Sequence, residues 1–338
     1  MAKKRGESGL SLIVGVRKPS GMSSHDVVNR CRRIFGERRV GHTGTLDPLA
    51  AGVLPVCVGP ATRLDAYMTG HDKLYTVDVR FGSATDTDDC TGEVLKTGEI
   101  YDDLRDEGFA SCFISSLVGP HRQMPPLYSA IKVDGRKACD EARKGNIIKL
   151  EPRDIEVYSA KLVALENGED GSLVWRIAFH VSKGTYIRSL ARDMGVTLGC
   201  PAHMSALLRT KAGSISLDDC VSLETLEEIG VRAALDPVTV LGYRFAFLDE
   251  ALMRAVSNGN ALRAHEVKLC ERRNLGLEDS LCACTSGVRE SCEEPADGEL
   301  VSMLYQNRLV SLNEYDGASA RYKCKCNFQT GVIRGADL

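Results

Sequence analysis

A single carboxylate, Asp47, stands in the stretch Gly41 to Val56, GHTGTLDPLAAGVLPV, which contains no Lys or Arg. Gly41 and Gly44 bracket a polar loop of His42, Thr43 and Thr45, and beyond Pro48 the residues become small and apolar. An ionised carboxylate at the edge of a segment bound for the interior must be paired, hydrogen-bonded or put to use, because a bare desolvated charge is expensive. Two readings fit. An Asp-Pro turn can satisfy the carboxylate with neighbouring backbone N–H groups. Alternatively, the carboxylate is functional.

The elements around this loop follow from pattern. Leu10 to Val16 is short and loosely alternating, which predicts a strand. Pro19 and Gly21 predict a turn, and Ser23 or Ser24 a helix N-cap with Asp26 in the first turn. Val27, Val28, Cys31, Ile34 and Phe35 then recur at helical spacing, and Gly36 ends the helix. Arg30, Arg32 and Arg33 lie on its other face, either as a solvated surface or as a face for phosphates.

Lys73 to Phe81 alternates strictly, with Tyr75, Val77, Val79 and Phe81 on one side, as in a half-buried strand. The run DTDDCTGE lacks the spacing of a calcium loop and reads as a polar loop. Residues 98–118 read as helical and peripheral. Asp154 to Leu165 and Leu173 to Ser182 read as further strands. The second runs into SKGTYIRSLARDMGVTLG, where Gly184 and Thr185 end the strand and cap a helix. Ile187, Leu190, Ala191 and Met194 form the buried stripe of that helix, and Arg188 sits at its start. Leu235 to Tyr243 reads as a linker into a small β-rich tail, which carries an acidic, Cys-containing insertion from Gly276 to Glu299.

Length and charge narrow the function. A chain of 338 residues exceeds what one core usually supports, so two domains are expected. No run of about 18 uncharged apolar residues is present, so no membrane helix is expected. The basic start followed by a short apolar run does not make a secretory signal. Thirteen cysteines, an odd number, predict reduced thiols in the cytoplasm with no disulfide framework. Residues 1–63 hold eleven Lys/Arg against four Asp/Glu, a basic footprint suited to a polyanion or to an ordinary surface.

Three ordered motifs carry a family resemblance. GTLDPLAAGVLPV with VGH before it resembles the aspartate motif of the TruB family, the tRNA pseudouridine-55 synthases. KPSGMSSHDVV resembles the family's KPxGxTSxDVV, with Ser23 where Thr is usual. SKGTYIRSLARDMG is similar, nearly letter for letter, to the family's SKGTYIRSLARDLG. KLYTVDVRFG further fits KxYxxxxxFG. PPLYSAIKVDGRKACDEAR resembles the insertion that grips the tRNA T arm, with Cys139 in place of an aromatic. HMSALLRT resembles the leucine-arginine segment. The likeness is strong over about residues 10–215 and faint over 240–330, where NGNAL and LVSMLYQNRLVSLNEY are similar to a PUA-like tail. LAAGVLPV fits the stand-alone bacterial type better than relatives that work with guide RNAs.

The resemblance implies an α+β pseudouridine synthase fold with a central, largely antiparallel mixed sheet. Residues 1–238 would form the catalytic domain, with the insertion at about 119–149, and 239–338 a small β-rich, PUA-like RNA-binding domain. Asp47 would be the catalytic aspartate, attacking C1′ or C6 or taking the C2′ proton. Arg188 and Tyr186 would sit against it, with Arg188 keeping it charged despite desolvation. Tyr75 would stack on the flipped base, offsetting part of the unstacking cost. Leu207 would lie near that base, and His42 would fill the vacated space or touch the flipped nucleotide. Lys18, Arg30, Arg32, Arg33, Lys132, Arg136, Lys137 and Arg209 would contact RNA.

Isomerising uridine involves no redox step or hydrolysis, so no cofactor or metal is expected. The enzyme is expected to work on the tRNA T arm as a cytoplasmic monomer without an obligate protein partner. Two other classes compete: an RNA-binding protein of this fold without catalysis, and a metal module in the tail. Cys270, Cys282, Cys284, Cys292, Cys324 and Cys326 fall there, but Cys-x-Cys is tighter than usual structural zinc spacing, so a metal-free tail is expected. A tail of that kind would help hold tRNA and be dispensable for chemistry.

Overall fold

The computed structural model describes residues 8–129, 131–133, 136–138, 141, 144, 149–168, 171–272, 288–291 and 293–335, with backbone only at 132–133, 136–137, 272 and 288–289. The chain forms two compact units, each discontinuous in sequence: Met1–Pro48, Gly52–Gly70 and Ala212–Leu338 in one, Leu49–Ala51 and His71–Lys211 in the other.

In the first unit the strand Leu12–Lys18 runs antiparallel to Ala51–Val58, pairing Leu12 with Val58 and Lys18 with Gly52. Its other edge takes Cys220–Val221 in parallel and Ala234–Leu235 antiparallel. The helix Ser24–Phe35 starts where expected. Ser23 and Asp26 form a reciprocal capping box, and Gly36 ends the helix in the left-handed region at φ 58°. Its apolar stripe, Val27, Val28, Cys31 and Phe35, is buried with Val14, Val16, Leu54 and Val56 from the strands and Leu223 and Leu226 from a second helix.

The C-terminal part of this unit is β-rich, as expected. Seven strands line up in the order Leu262–Arg263, Arg321–Ile333, Arg308–Asp316, Leu300–Tyr305, Phe245–Phe247, Cys270–Arg272 and Val288–Glu290. A two-residue turn at Gln306 and Asn307, both at positive φ (46° and 55°), makes the hairpin between Leu300–Tyr305 and Arg308–Asp316.

The segment read as a linker is not one. Pro237–Leu241 is a short helix capped by Asp236, and Pro237, Val238, Val240 and Leu241 are buried. Asp236 itself is 0% exposed and holds Arg334 through two bonds of 2.9 and 3.0 Å. One continuous core joins Ile13, Val53 and Cys57 to Val238, Phe245, Leu304, Leu309 and Phe328. Apolar residues in a supposed linker have nowhere to go but a core, and here they fill the one that the first strands share with the tail. Removing the tail near Val240 would therefore uncover core residues of the N-terminal strands such as Ile13, Val53 and Cys57.

The second unit is built on strands ordered Ala202–Ala212, Lys73–Phe81, Leu173–Val181, Arg153–Asn167 and Gly119–Gln123. Lys73–Phe81 and Leu173–Val181 pair antiparallel without a register break, Tyr75 opposite Phe179 and Val79 opposite Trp175. Period-two alternation puts Val77, Val79, Phe81, Trp175, Ile177 and Phe179 on one buried face. Trp175 is fully buried against Phe81, ring centres 4.7 Å apart, and its indole N–H donates to the Leu104 carbonyl at 2.9 Å. The expected peripheral helix spans Glu107–Ser116 and is capped by Asp106. The fold is thus α+β, with an antiparallel-dominated sheet in each unit.

Candidate active site

The expected site residues divide between the units: Lys18, Arg30, Arg32, Arg33, His42 and Asp47 in the first, and the others in the second. In the first unit the loop that carries Asp47 is fixed on both sides of it. Ser24, at the start of its helix, accepts from the Leu46 N–H (2.9 Å) and donates to the Leu46 carbonyl (2.8 Å) through one hydroxyl. Pro48 presents its carbonyl to the Gly21 N–H at 2.8 Å and to the Lys18 ammonium at 3.3 Å. Lys18 also donates to the carbonyls of Pro19 and Met22. The Thr43 N–H donates to the Pro55 carbonyl, and Val40–His42 pairs with Ala51–Val58, His42 opposite Val56. Asp47 is half-buried, between two neighbours whose backbone is tied to the first strand, turn and helix. KPSG and GTLDP, far apart as motifs, thus make one assembly.

Lys18 was expected to contact RNA, but its side chain is interior: the residue is 0% exposed and its ammonium donates to three carbonyls. Arg30 forms an ion pair with Glu227 at 2.5 Å, and Arg32 donates to the Arg38 carbonyl and the Asn29 side chain. Arg33 is exposed on the helix.

In the second unit the helix Ile187–Thr197 begins directly after Tyr186, whose side chain is half-buried. Thr185 does not cap it; its hydroxyl donates back to the Ser182 carbonyl. The Gln123 side chain brackets Tyr186 instead, accepting from its N–H at 2.9 Å and donating to its carbonyl at 3.0 Å. Arg188 is 5% exposed. Its guanidinium donates to the carbonyls of Thr87 and Tyr128, both at 3.0 Å, and stands 3.8 Å from the Asp89 carboxylate. Asp89 is itself buried and accepts from the Thr87 hydroxyl and from the N–H and hydroxyl of Thr91.

The Asp-rich run read only as a polar loop is therefore part of the setting of Arg188. The missed signal was its composition. Three acidic residues in four, Asp86, Asp88 and Asp89, gain by meeting cations, and the SKGTYIRSLARD helix supplies two arginines one turn apart.

Tyr75 is 9% exposed on Lys73–Phe81. Two residues before it, Lys73 is also 9% exposed, and burial, then the nearby Arg209 charge, pushes its ammonium down to about 8. Leu207 is half-buried on Ala202–Ala212. Arg209, expected among the RNA contacts, is 1% exposed, because its strand turns that position inward. Lys132 pairs with Lys137 and Val133 with Arg136 in a small hairpin; the side chains of the three basic residues, and Cys139, lie outside what is described. Cys282, Cys284 and Cys292 also lie outside the described residues. Cys324 and Cys326 lie on Arg321–Ile333, and burial pushes both thiols up.

Residues 32–187 match the family model described as TruB family pseudouridylate synthase (N terminal domain), and residues 188–252 that of the tRNA pseudouridylate synthase B C-terminal domain. The chain is 42% identical over 263 residues to tRNA pseudouridine synthase B of Pelotomaculum thermopropionicum, which covers 74% of this chain and 80% of that protein. It is 40% identical over 243 residues to tRNA pseudouridine synthase B of Bacillus cytotoxicus, covering 72% and 77%. Among solved structures, it aligns with a chain of an H/ACA RNP bound to a substrate RNA containing 2′-deoxyuridine, over 96% of this chain and 86% of that one. The TM-score is 0.64 at 20% identity, a likeness of fold.

Proposed function

The chain belongs to the TruB family of pseudouridine synthases, isomerases acting on tRNA, and on that footing we propose that it converts uridine 55 in the T loop with Asp47 as the essential carboxylate. The reaction breaks the N1–C1′ bond of uridine and rejoins the ring through C5. It therefore needs a carboxylate that stays ionised in a closed pocket from which the cleaved uracil cannot escape. Asp47 attacks C1′ or C6, or takes the C2′ proton. Arg188 keeps it ionised, because a nearby cation favours the charged form against desolvation. Tyr186 sits against Asp47 beside Arg188, Tyr75 stacks on the extruded base, Leu207 lies near that base, and His42 fills the vacated space or contacts the flipped nucleotide.

The observation that carries this reading is the pair of anchors on either side of Asp47. Ser24 holds Leu46, while Lys18 and Gly21 hold Pro48. With both flanking residues tied to other elements, the position of Asp47 is fixed by the fold on each side of it. Arg33 on the helix face, with Lys132, Arg136 and Lys137 in the insertion, binds the T-arm phosphates. The functional division stays as 1–238 for catalysis and 239–338 for RNA binding, although the tail also completes the core beneath the N-terminal strands. No helix among the described residues is long and apolar enough to cross a membrane. In this reading the enzyme works in the cytoplasm as a monomer without an obligate protein partner.

The test is direct. Purified protein and unmodified tRNA transcript, incubated with EDTA and no added cofactor, should yield pseudouridine at position 55 alone. Pseudouridine at another position would overturn the assignment of the target. No product from a folded sample across several tRNAs would favour the other reading, an RNA-binding protein without catalysis.

A further inference from the structure

The helix Ile187–Thr197 carries a second arginine that the reaction as described does not use. Arg192 lies one turn beyond Arg188, on the same helix face. Its guanidinium donates to Asp88 at 2.9 Å, to Asp193 at 2.9 Å and to the Met124 carbonyl at 2.8 Å. Ser189, between the two arginines, donates to the same Met124 carbonyl at 2.9 Å. Each arginine thus reaches one residue on each of two segments. Arg188 takes Thr87 and Tyr128, and Arg192 takes Asp88 and Met124.

Asp88 sits between Thr87 and Asp89, the two residues that face Arg188. Its φ is 60°, in the left-handed region that residues with a Cβ seldom occupy. Asp tolerates that region better than most residues with a Cβ, and neighbouring bonds fix it there. The carboxylate held by Arg192 does so, together with the Asp88 carbonyl accepting from the Met204 N–H at 3.1 Å. The side chains of this ion pair are 12% and 26% exposed, so the pair is shielded from the competition with water that weakens a surface bridge.

We propose that Arg192 and Asp88 form a positioning clamp that fixes the Thr87 carbonyl and the Asp89 carboxylate, and so aims the Arg188 guanidinium for pseudouridine formation. This rests on the reading of Arg188 as the cation that supports the essential carboxylate. Arg192 touches no reacting atom in this scheme; it acts through the loop. Rotation of the peptide between Thr87 and Asp88 would remove one of Arg188's carbonyl acceptors and shift Asp89 with it. Small displacements of a group that must meet a transition state are expensive even when binding is intact.

The experiment is a double-mutant cycle on the full-length protein with tRNA transcript. Arg192→Met and Asp88→Asn should each lower kcat by about ten- to a hundred-fold, with KM for tRNA within about three-fold. Arg192→Lys should recover part of the loss, since an ammonium keeps the charge but not the fork. In an Arg188→Gln background, Arg192→Met should lower kcat little further, because the group it aims is gone.

Three results would overturn the proposal. The first is wild-type kcat in folded Arg192→Met and Asp88→Asn while Arg188→Gln is inactive. The second is full additivity in the cycle. The third is a lowered melting temperature with unchanged kcat, which would make the pair merely structural. Wild-type kcat in Arg188→Gln would remove the role of Arg188 first and the clamp with it. If Arg192→Met does not fold, Asp88→Asn and Arg192→Lys, read against Arg188→Gln, decide in its place.

Discussion

Two acidic loops in this molecule are held in different ways. Around Asp47 the anchors grip the backbone of the neighbours: one hydroxyl serves both polar groups of Leu46, and an ammonium and an N–H share the carbonyl of Pro48. In the Asp86–Asp89 loop the anchors include bonds to the carboxylates. Asp88 goes to Arg192, while Asp89 goes to two threonines and toward Arg188. Burial separates them too, for Asp89 is 5% exposed whereas Asp47 is half-buried. A carboxylate serving as a counter-ion is wrapped by its donors. Asp47, which we propose for the chemistry, is placed by the backbone on each side of it.

The largest expected effect breaks this contrast at its centre. Asp47→Asn should lower turnover by about a thousand-fold or more, since an amide is neither nucleophile nor base. Binding of tRNA should stay within several-fold, because affinity comes mainly from phosphates. Asp88→Asn, in the wrapped loop, should fall well short of that loss. Single-turnover rates and filter binding measure both. Turnover in Asp47→Asn at a tenth of wild type would place the essential carboxylate elsewhere.

Next in size is Arg188→Lys. The fork now satisfies two carbonyls on different segments, and an ammonium point charge cannot reproduce that planar geometry. A loss of about a hundred-fold in kcat with intact folding is expected. Near-normal turnover would mean that only the charge matters.

Lys18 sharpens the comparison from the other side. Replacing it by Met strips a donor from three carbonyls beneath the Asp47 loop, at a cost of about 3 kcal/mol or more. Turnover should fall with it, because Pro48 loses one of its two ties. A urea titration that finds the variant as stable as wild type would show that the first turn stands without the ammonium.

Much of this was legible beforehand, and the failures have physical causes. Strict alternation at Lys73–Phe81 and the Ser23 cap could be read because local pattern and tertiary context agree there. The contents of the Asp-rich loop could not, since its partners lie about a hundred residues away on a helix. The placing of Lys18 and Arg209 failed for a related reason. A cation at a strand end reads as surface, and only the fold reveals carbonyls gathered around one and an inward-facing strand position for the other. The linker failed because five residues are too few to show helical periodicity.

A subtler effect concerns Lys73. Its ammonium is lowered from 10.5 to about 8, burial being the main cause. Between those values the folded state binds fewer protons than the unfolded one, so stability should rise with pH through that window. Below pH 8 the cost of keeping the buried charge is fully present. Lys73→Met should flatten the rise, as urea midpoints taken across the window would show. An identical slope in the variant would assign it to other groups.

The smallest expected effect separates the arginines of the helix Ser24–Phe35. Arg33 is exposed, whereas Arg30 already holds Glu227 at 2.5 Å. A phosphate that recruits Arg33 displaces only water and counterions; one that recruits Arg30 must also part it from Glu227. That ion pair is exposed and worth at most about 1 kcal/mol, so the difference is small but has a definite sign. Arg33→Gln should reduce the slope of log affinity against log salt by about 0.7 to 0.9, the value for one phosphate. Arg30→Gln should reduce it less, and Glu227→Gln should strengthen binding slightly by freeing Arg30. Arg32 should resemble Arg30, because its guanidinium already serves Arg38 and Asn29. Equal slopes for Arg30→Gln and Arg33→Gln would mean that RNA draws Arg30 away from Glu227 on binding. A flat salt response in wild type would mean that this helix is not where the RNA backbone lies.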